Sequence, residues 1–438
     1  MTRVINKRVC IASGVRGDTR RYRTIHLFEQ CRLLGLNVTY SHVTDFQFQA
    51  KVDQAHLLVL HRAAWDPNIQ QAIESVHQRG GRVIFDTDDL LFDPNAFQWI
   101  DSPDFADPVR SGLYRDDMMR YRRTMESCDA IMTSTEYLAK QAVAFNLPTF
   151  VYRNGFSSEM LTISDKASNQ VKKDPEKIIV GYASGTLTHN RDFDMISPEI
   201  RRVLDVNKNV SLWLVGPLKL DRGWAAYRAR IIHLPHVPWR LLPGYLSRFD
   251  INLAPLVTGN PFAQSKSEIK WMEAALVRVP TITSATEAFR SAIREGKTGF
   301  LALTPAEWYS SLIRLIQDPD LRKKVGEAAY EQVVRNYNPQ VRGDQFQKIL
   351  EQVYPKKEWA VNSQRSVHKA NATGELLELP RNKDLAVLEK SPSLFRMAAY
   401  ALRYRGISTL IKQVWVFFRR LISPIIPYRK NTGRHGNR

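Results

Sequence analysis

Short apolar runs alternate with longer amphipathic stretches along this chain, and this alternation limits the possible folds more than any other feature. Runs such as Arg8–Ser13 and His56–His61 have the length and composition of buried strands, and stretches with helical spacing of apolar residues lie between them. Strands that alternate with helices form βαβ units around a parallel sheet. The pattern runs through the first 155 residues and then restarts, which predicts an α/β protein with two halves.

Each half has its own set of predicted strands. Those of the first half are Arg8–Ser13, Asn37–His42, His56–His61, Arg82–Phe85, Ala130–Thr133 and Thr149–Tyr152. Those of the second half are Ile178–Tyr182, Ser211–Val215, Ile251–Leu253 and Thr281–Thr283. The polar segment 157–176 has no apolar period and predicts a linker. We therefore expect an N-terminal domain over 1–156, a second domain over 177–339, and a helix over 340–354 that returns to the first domain.

Composition narrows the class of protein. A hydrophobic content of 44% with 10% aromatic residues is enough to build globular cores. The three cysteines, Cys10, Cys31 and Cys128, form no CxxC or Cys/His cluster, which indicates a reducing compartment without disulfides or structural zinc. No apolar stretch approaches the roughly 18–20 residues of a membrane-spanning helix, and the first apolar run is too short for a signal-peptide core. We therefore expect a cytoplasmic protein.

The net charge of +19 is concentrated near the C-terminus, where thirteen Lys and Arg residues between Arg381 and Arg438 face only two acidic residues. Residues 355–395 are polar and predict a flexible linker. From Ile407 to Ile422 apolar residues recur at helical spacing, with basic residues on the other face. This pattern predicts a basic amphipathic tail over 396–438 that lies on an anionic membrane surface. The alternatives are a helix docked on the protein's own body or on a partner.

A loop follows the first strand, at the edge of a parallel sheet where ligands bind. Its glycines Gly14 and Gly17 allow backbone amides to approach a phosphate, and Arg20 supplies positive charge. The spacing matches neither a dinucleotide-binding loop nor a P-loop. The alternative is an ordinary turn with solvated arginines.

A second loop has the same topological position after the strand that opens the second half. Its small, polar and charged residues can present amides, hydroxyls and charge to a diphosphate; they are Ser184, Gly185, Thr186, His189 and Arg191. Asp192 is placed to orient Arg191 or to cap the next helix. The alternative is a capped turn without a ligand.

A third segment begins at Ser265. The pair Ser265 and Glu268 has the spacing of a capping box, which predicts a helix start. Free amides, the helix dipole and Lys266 would make an anion site there. Glu273 lies about two turns beyond Lys266 and can accept both hydroxyls of a ribose. The alternative is a surface helix with charge pairs.

Several stretches in this order resemble the GT-B glycosyltransferases of the broad group-one (family four) kind. They are Thr133–Leu138, Val151–Gly155, Leu214–Pro217, Asp250–Leu256, Lys266–Glu273, Val279–Pro280 and Gly296–Phe300. The resemblance covers residues 8 to about 355. It implies two Rossmann-like domains that face each other across a cleft, and transfer of a sugar from a nucleotide-sugar donor without a metal or another cofactor.

In that family the second glutamate of an E-x7-E pattern holds the donor ribose, and Glu273 fits this position. The first glutamate falls at Ser265, so the chain departs from the pattern there. It resembles instead a subgroup with an AKSE-K-E type helix and an SGT-x-TH-x-RD loop, which corresponds to Ser184–Asp192. The resemblance places Ser267 and Lys270 with Lys266 at the donor, and it leaves open which group contacts the sugar.

Acidic residues and a histidine follow two strands of the first half. The Asp86-Thr87-Asp88-Asp89 run matches a metal-binding DxD, but a two-halved transferase places this strand end near the acceptor. We therefore expect no metal, and Asp88 or Asp89 as a base or an acceptor-binding group. His61 is a second candidate base. The alternatives are turn capping for the aspartates and a structural role for His61.

The sequence thus predicts hexosyl or deoxyhexosyl transfer from a nucleotide-diphosphate sugar to a cell-surface polysaccharide or lipid-linked glycan. We expect this transfer at the inner face of the plasma membrane, with no nucleic-acid partner. Two alternatives stay open. The first is a non-catalytic scaffold or partner subunit that lacks the first glutamate. The second is a nucleic-acid-binding protein that uses the basic tail.

Overall fold

The computed structural model describes residues 7–354 and 391–422, which contain two parallel sheets of six strands each. The strands of the first sheet are β1 (Arg8–Ser13), β2 (Asn37–His42), β3 (Leu57–His61), β4 (Arg82–Thr87), β5 (Ala130–Thr133) and β6 (Thr149–Val151). Those of the second sheet are β7 (Ile178–Ala183), β8 (Val210–Val215), β9 (Ile231–Leu234), β10 (Ile251–Ala254), β11 (Thr281–Ser284) and β12 (Phe300–Ala302). The α/β fold class with two Rossmann-like domains is confirmed.

The order of the first sheet is β2-β1-β3-β4-β5-β6, and that of the second is β12-β11-β10-β7-β8-β9. All paired strands run parallel, for example Val9 beside Val38 and Leu57. The sequence did not predict β9 and β12. Both lie at a sheet edge, β12 has only three residues, and β9 is exposed at its centre, so neither has the continuous apolar run of a buried strand.

Helices cover the faces of both sheets. In the first domain they are α1 (Asp18–Arg20), α2 (His26–Leu33), α3 (Phe48–Val52), α4 (Pro67–Gln78), α5 (Pro108–Glu126) and α6 (Glu136–Ala142). Beyond it they are α7 (Ser158–Gln170), α8 (Asn190–Val206), α9 (Leu242–Leu246), α10 (Pro261–Gln264), α11 (Ile269–Leu276), α12 (Glu287–Ala292), α13 (Pro305–Gln317), α14 (Pro319–Asn336) and α15 (Pro339–Val353). A π-helical segment, Arg21–Ile25, joins α1 to α2.

Two segments connect the domains. The first, 157–176, contains α7 where its polarity had suggested only a linker. The Ser157 hydroxyl accepts a hydrogen bond from the Met160 amide, and Met160 and Leu161 are buried, but the apolar period ends after that turn. The second, α15, packs against α2. It places Phe346 and Leu350 in the core of the first sheet.

The C-terminal residues return to the first domain as two tail helices, Leu394–Tyr400 and Ile407–Ile422. The amphipathic pattern from Ile407 therefore predicted the second of them correctly. Residues 355–390 of the predicted linker and residues 423–438 of the predicted tail lie outside the described residues. Within the described ranges, none of the helices has the length and apolar character needed to cross a bilayer.

A fully buried ion pair holds the centre of the first domain. Arg23 of the π-helical segment donates to both carboxylate oxygens of Asp86 at the end of β4, and neither side chain is exposed. The same guanidinium donates to the Tyr152 carbonyl and, at 3.1 Å, to the Asn154 side chain beyond β6. Arg23 thereby ties the segment after β1 to the ends of β4 and β6.

Replacing one member of this ion pair should lower the free energy of unfolding far more than replacing both members with apolar residues. Asp86→Ala leaves a buried guanidinium without its carboxylate, which should lower the free energy of unfolding by about 3–5 kcal/mol. The double variant Arg23→Met with Asp86→Leu leaves no buried charge at this site, and its free energy of unfolding should fall clearly less. Urea unfolding at pH 7 measures both. Equal decreases in the free energy of unfolding of the two variants would show that an uncompensated buried charge is not the cause.

Candidate active site in the cleft between the domains

The two domains contact each other directly where the carboxyl ends of their strands meet. The Tyr22 hydroxyl donates to the Glu273 carboxylate. The Lys266 Nζ lies 2.6 Å from an Asp89 oxygen, and the Asn154 amide donates to the Ser267 hydroxyl at 2.9 Å. The cleft is therefore closed at three points. The second-domain members of these three contacts are all residues that the sequence assigned to the donor.

Glu273 lies on α11 and faces the first domain. Burial raises the pKa of this carboxyl, while the charge of Arg21, the hydrogen bond from Tyr22 and the charge of Lys270 lower it. The net pKa lies above its usual range. Because Tyr22 already donates to Glu273, a ribose can reach this carboxylate only after Tyr22 has moved away.

The predicted capping box is wrong. Helix α11 begins at Ile269, and the Ser265 hydroxyl donates backwards to the Phe262 carbonyl at 2.7 Å. The buried Glu268 carboxylate accepts instead from Arg153 at 3.0 Å and from the Tyr337 hydroxyl at 2.8 Å. Contacts with Arg153 of the first domain and with the segment before α15 thus replace the local cap.

Two lysines bring positive charge to the same end of α11. Lys266 lies over the Phe262 ring, 4.1 Å from its centroid, and is paired with Asp89. Lys270 approaches the Tyr182 hydroxyl at 3.3 Å. Burial lowers the pKa of Lys270 to about 8, although the charges of Asp192 and Glu273 raise it. The Lys270 ammonium is therefore charged at neutral pH, and the nearby carboxylates only partly offset the effect of its burial.

The loop after β7 is partly exposed at this end of the sheet. The Ser184 hydroxyl donates to the Thr186 carbonyl at 2.8 Å, and Gly185 has open space around its Cα. Arg191 is exposed on α8. Ser184 to Thr186 therefore form a turn that the side chain of Ser184 stabilises.

His189 and Asp192 form a pair within the same loop, with the ring Nδ1 2.8 Å from a carboxylate oxygen. Burial and the charge of Lys270 lower the pKa of His189 to about 4, against the hydrogen bond to Asp192. The second Asp192 oxygen accepts from the Val257 amide at 2.9 Å. Asp192 thus joins this loop to the one after β10, and the expectation that it orients Arg191 or caps α8 is wrong.

The loop after β1 places its predicted residues in different surroundings. A Cβ on Gly14 would lie 2.3 Å from the Arg62 carbonyl, so glycine is required for the contact with the loop after β3. Gly17 has a φ of 93° and precedes α1 in open space. Arg20 is buried beside Tyr40 and His42, and it also lines a cavity of about 190 Å³ between the domains.

Arg21 is a site residue that sequence reasoning did not select. Its guanidinium lies between the rings of Tyr22 and Trp239, 4.9 and 4.7 Å from their centroids. The side chain is buried, and its Nε and Nη1 atoms have no hydrogen-bond partner within the described part of the chain. It lines both the 190 Å³ cavity and a smaller one shared with Glu273. An incompletely paired guanidinium beside two cavities is suited to an anion.

His61 and Asp88 come together at the ends of β3 and β4. The His61 ring nitrogens lie 3.4 Å from the Ser13 hydroxyl and from an Asp88 oxygen. Arg62, in the left-handed region with a φ of 45°, reaches Asp88 and Asp89 at 2.5 Å. Burial alone would raise the pKa of Asp88, but Arg62 and the hydrogen bond with His61 hold it well below its usual range. A carboxylate with so low a pKa is a weak base.

The residues of the Asp86-Thr87-Asp88 run do not fit a metal ion. The Asp86 carboxylate is engaged by Arg23 and the Asp88 carboxylate by Arg62. Over residues 7–354 and 391–422 no group of three or more His, Cys, Asp or Glu side chains is placed to hold a metal.

Comparison with solved structures shows the same two-domain fold. A sucrose-phosphate synthase from Thermosynechococcus elongatus has a TM-score of 0.56 at 14% identity, over 79% of this chain and 99% of that chain. A glycosyltransferase from Rickettsia africae has a TM-score of 0.54 at 12% identity, over 80% and 99%. The Anabaena protein HepE in complex with UDP has a TM-score of 0.53 at 12% identity, over 79% and 100%. Identities this low establish the fold alone.

Sequence comparison adds the family. No curated protein matches the chain. Residues 177–318 match the family described as "Glycosyl transferases group 1", and this range contains the β7 loop, Lys266, Lys270 and Glu273. The second domain is therefore similar to the group 1 glycosyl transferases, and this match, together with the shared two-domain fold, supports a glycosyltransferase.

Proposed function

We propose that the chain transfers a hexosyl or deoxyhexosyl group from a nucleoside diphosphate sugar, held between the two domains, to a cell-surface polysaccharide or lipid-linked glycan. The observation that carries this proposal is the group of Glu273, Lys270, Lys266 and Arg21 at the closed cleft. It combines one acceptor for ribose hydroxyls with three cations for a diphosphate. The reaction would take place at the inner face of the plasma membrane.

The donor would bind after a small opening of the cleft. Glu273 would accept the ribose hydroxyls in place of the Tyr22 hydroxyl. Lys266 would exchange Asp89 for a phosphate oxygen, while the amides that precede α11 at Ser267 and Glu268 point positive partial charge toward the same place. Arg21 would approach the diphosphate from the first domain. The loops with Gly17 and with Ser184–Thr186 would border it.

Transfer breaks the bond between the anomeric carbon and the diphosphate oxygen, and negative charge develops on that leaving oxygen. Fixed cations in a site that excludes water stabilise such charge strongly, because they need no reorganisation during the reaction. Arg21, which is buried, and Lys270, which is half-buried, are suited to this role because both place positive charge near Glu273. We propose that they, and not a metal ion or another cofactor, neutralise the leaving group. The engagement of Asp86 and Asp88 by arginines supports this choice.

The acceptor would bind on the first-domain side of the cleft. His61 is the candidate base there, because its ring lies between Ser13 and Asp88 at the end of β3. Asp88 is better suited to orient His61 and Arg62 than to take a proton, given its lowered pKa.

A non-catalytic scaffold is the alternative that a specific observation favours. The buried Ser265 hydroxyl, at the position of the family's first glutamate, is bonded to the Phe262 carbonyl and offers no carboxylate to a sugar. A nucleic-acid partner has less support, since the basic tail helix Ile407–Ile422 also exposes large apolar residues.

A thermal-shift panel tests the donor site. We expect one of UDP, GDP, dTDP and CDP to stabilise the wild-type chain, with UDP the first to test because HepE binds it. At about 100 times its dissociation constant the ligand should add roughly 2.7 kcal/mol. Glu273→Ala should lose this response, and the control Glu331→Ala, an exposed glutamate on α14, should keep it.

The same panel is run with EDTA and with Mg²⁺. An unchanged response in EDTA is expected. A response that needs Mg²⁺ would contradict the metal-free diphosphate site. No response to any nucleotide under either condition would overturn the donor proposal and favour the non-catalytic scaffold.

The lowered pKa of Lys270 predicts a pH dependence of nucleotide binding. The anion prefers the charged lysine, so affinity should fall as pH rises through about 8, by up to about tenfold per unit above that value. Lys270→Arg keeps its charge and should give a flat profile. Titration calorimetry at pH 7.5, 8.5 and 9.5 measures both chains. The same slope in both would show that another group is responsible.

A further inference from the structure

The tail is fixed to the first domain by polar contacts at its N-terminal end. Arg396 donates to Asp45, and the Tyr400 hydroxyl donates to Asp66 at 2.7 Å. Arg405 donates to Asp117 of α5 at 3.1 Å. Three separate acidic residues of the first domain therefore hold the segment from which the last helix begins.

The helix Ile407–Ile422 exposes a stripe of apolar side chains. Ile407, Ile411, Val414 and Trp415 follow the i, i+4, i+7, i+8 spacing of one helical face. Their exposed fractions are 65, 61, 41 and 42%. We call these four residues the outer stripe. Leu410, Gln413 and Val416, by contrast, are only half-exposed. A helix docked on its own protein normally buries such a stripe, so self-docking does not explain it.

The charge around the outer stripe has one sign. Residues 391–438 contain ten Lys and Arg and no Asp or Glu. Two of the ten, Arg396 and Arg405, are paired with the first domain. Arg403, which precedes the helix Ile407–Ile422, and Lys412, which lies on that helix, are exposed. A basic segment with an outward apolar stripe complements a surface that is both apolar and negative.

We propose that the outer stripe is the membrane-contacting surface of the protein and that its partner is an anionic lipid bilayer. The helix would lie in the plane of the interface with the stripe buried about 5–10 Å deep. Nearby basic side chains add electrostatic attraction to an anionic surface. Because the tail is tied to Asp45, Asp66 and Asp117, the bilayer would hold the first domain, where the acceptor is expected. This surface is independent of the donor proposal.

Vesicle co-sedimentation of the full chain tests the partner. Wild type should sediment with vesicles that contain 30% phosphatidylglycerol and should bind at least tenfold less to pure phosphatidylcholine vesicles. Ile411→Glu puts a carboxylate into the stripe without disturbing a buried contact and should lower binding at least tenfold. Leu303→Glu, at an exposed leucine of the second domain, is the matched control and should bind as wild type.

A site-specific probe distinguishes the stripe from general charge attraction. The three native cysteines are buried, and burial raises the pKa of the Cys10 thiol to about 11, so a dye should label an introduced surface cysteine selectively. Dye on Ile411→Cys should shift to the blue with anionic vesicles, and dye on Leu303→Cys should not. Equal responses, or binding of Ile411→Glu at the wild-type level, would overturn the proposal. So would a wild-type chain that ignores anionic vesicles but forms a dimer that Ile411→Glu abolishes.

Discussion

The hydrogen bond from Tyr22 to Glu273 joins the two domains at the position where the family holds its donor. Tyr22 lies in the π-helical segment, which Arg23 anchors to Asp86. The buried ion pair of the first domain therefore helps to position Tyr22 for its contact with Glu273 on α11. The neighbouring Arg21 is then pressed between Tyr22 and Trp239, beside the same carboxylate. At the proposed donor site, donor binding and domain contact would therefore compete for the Glu273 carboxylate.

The charges along the cleft are divided between the two sides. Arg62 is paired with Asp88, and Lys266 is paired with Asp89. These ion pairs reduce the repulsion between the two carboxylates and a diphosphate. Arg21 and Lys270 place positive charge near Glu273. An anion bound beside Arg21 and Lys270 would therefore also lie near Glu273, the acceptor that we propose for the ribose hydroxyls.

Much of this fold could be predicted because buried parallel strands leave continuous apolar runs, as in Leu57–His61, whereas the short edge strand Phe300–Ala302 leaves none. Glu273 and Lys266 were selected from their spacing and from the family resemblance, but α11 begins at Ile269, so Lys266 lies before the helix. The Ser265 and Glu268 pair gave a wrong prediction because capping residues are also ordinary hydrogen-bonding groups. Glu268 accepts from the tertiary partners Arg153 and Tyr337, and Ser265 donates to the Phe262 carbonyl. Arg20 and Arg21 are adjacent and both line the larger cavity, and no local pattern indicates that only Arg21 also reaches the smaller cavity beside Glu273.

Release of nucleoside diphosphate from nucleotide sugars by the full chain tests the central claim most directly. The measurement uses UDP-glucose and its GDP, dTDP and CDP counterparts with EDTA present, with and without a membrane extract as the source of acceptor. The account predicts release from one donor, faster with the extract, and at least tenfold slower release in Glu273→Gln. Release that is absent with every donor, or unaffected by Glu273→Gln, would contradict sugar transfer at this cleft.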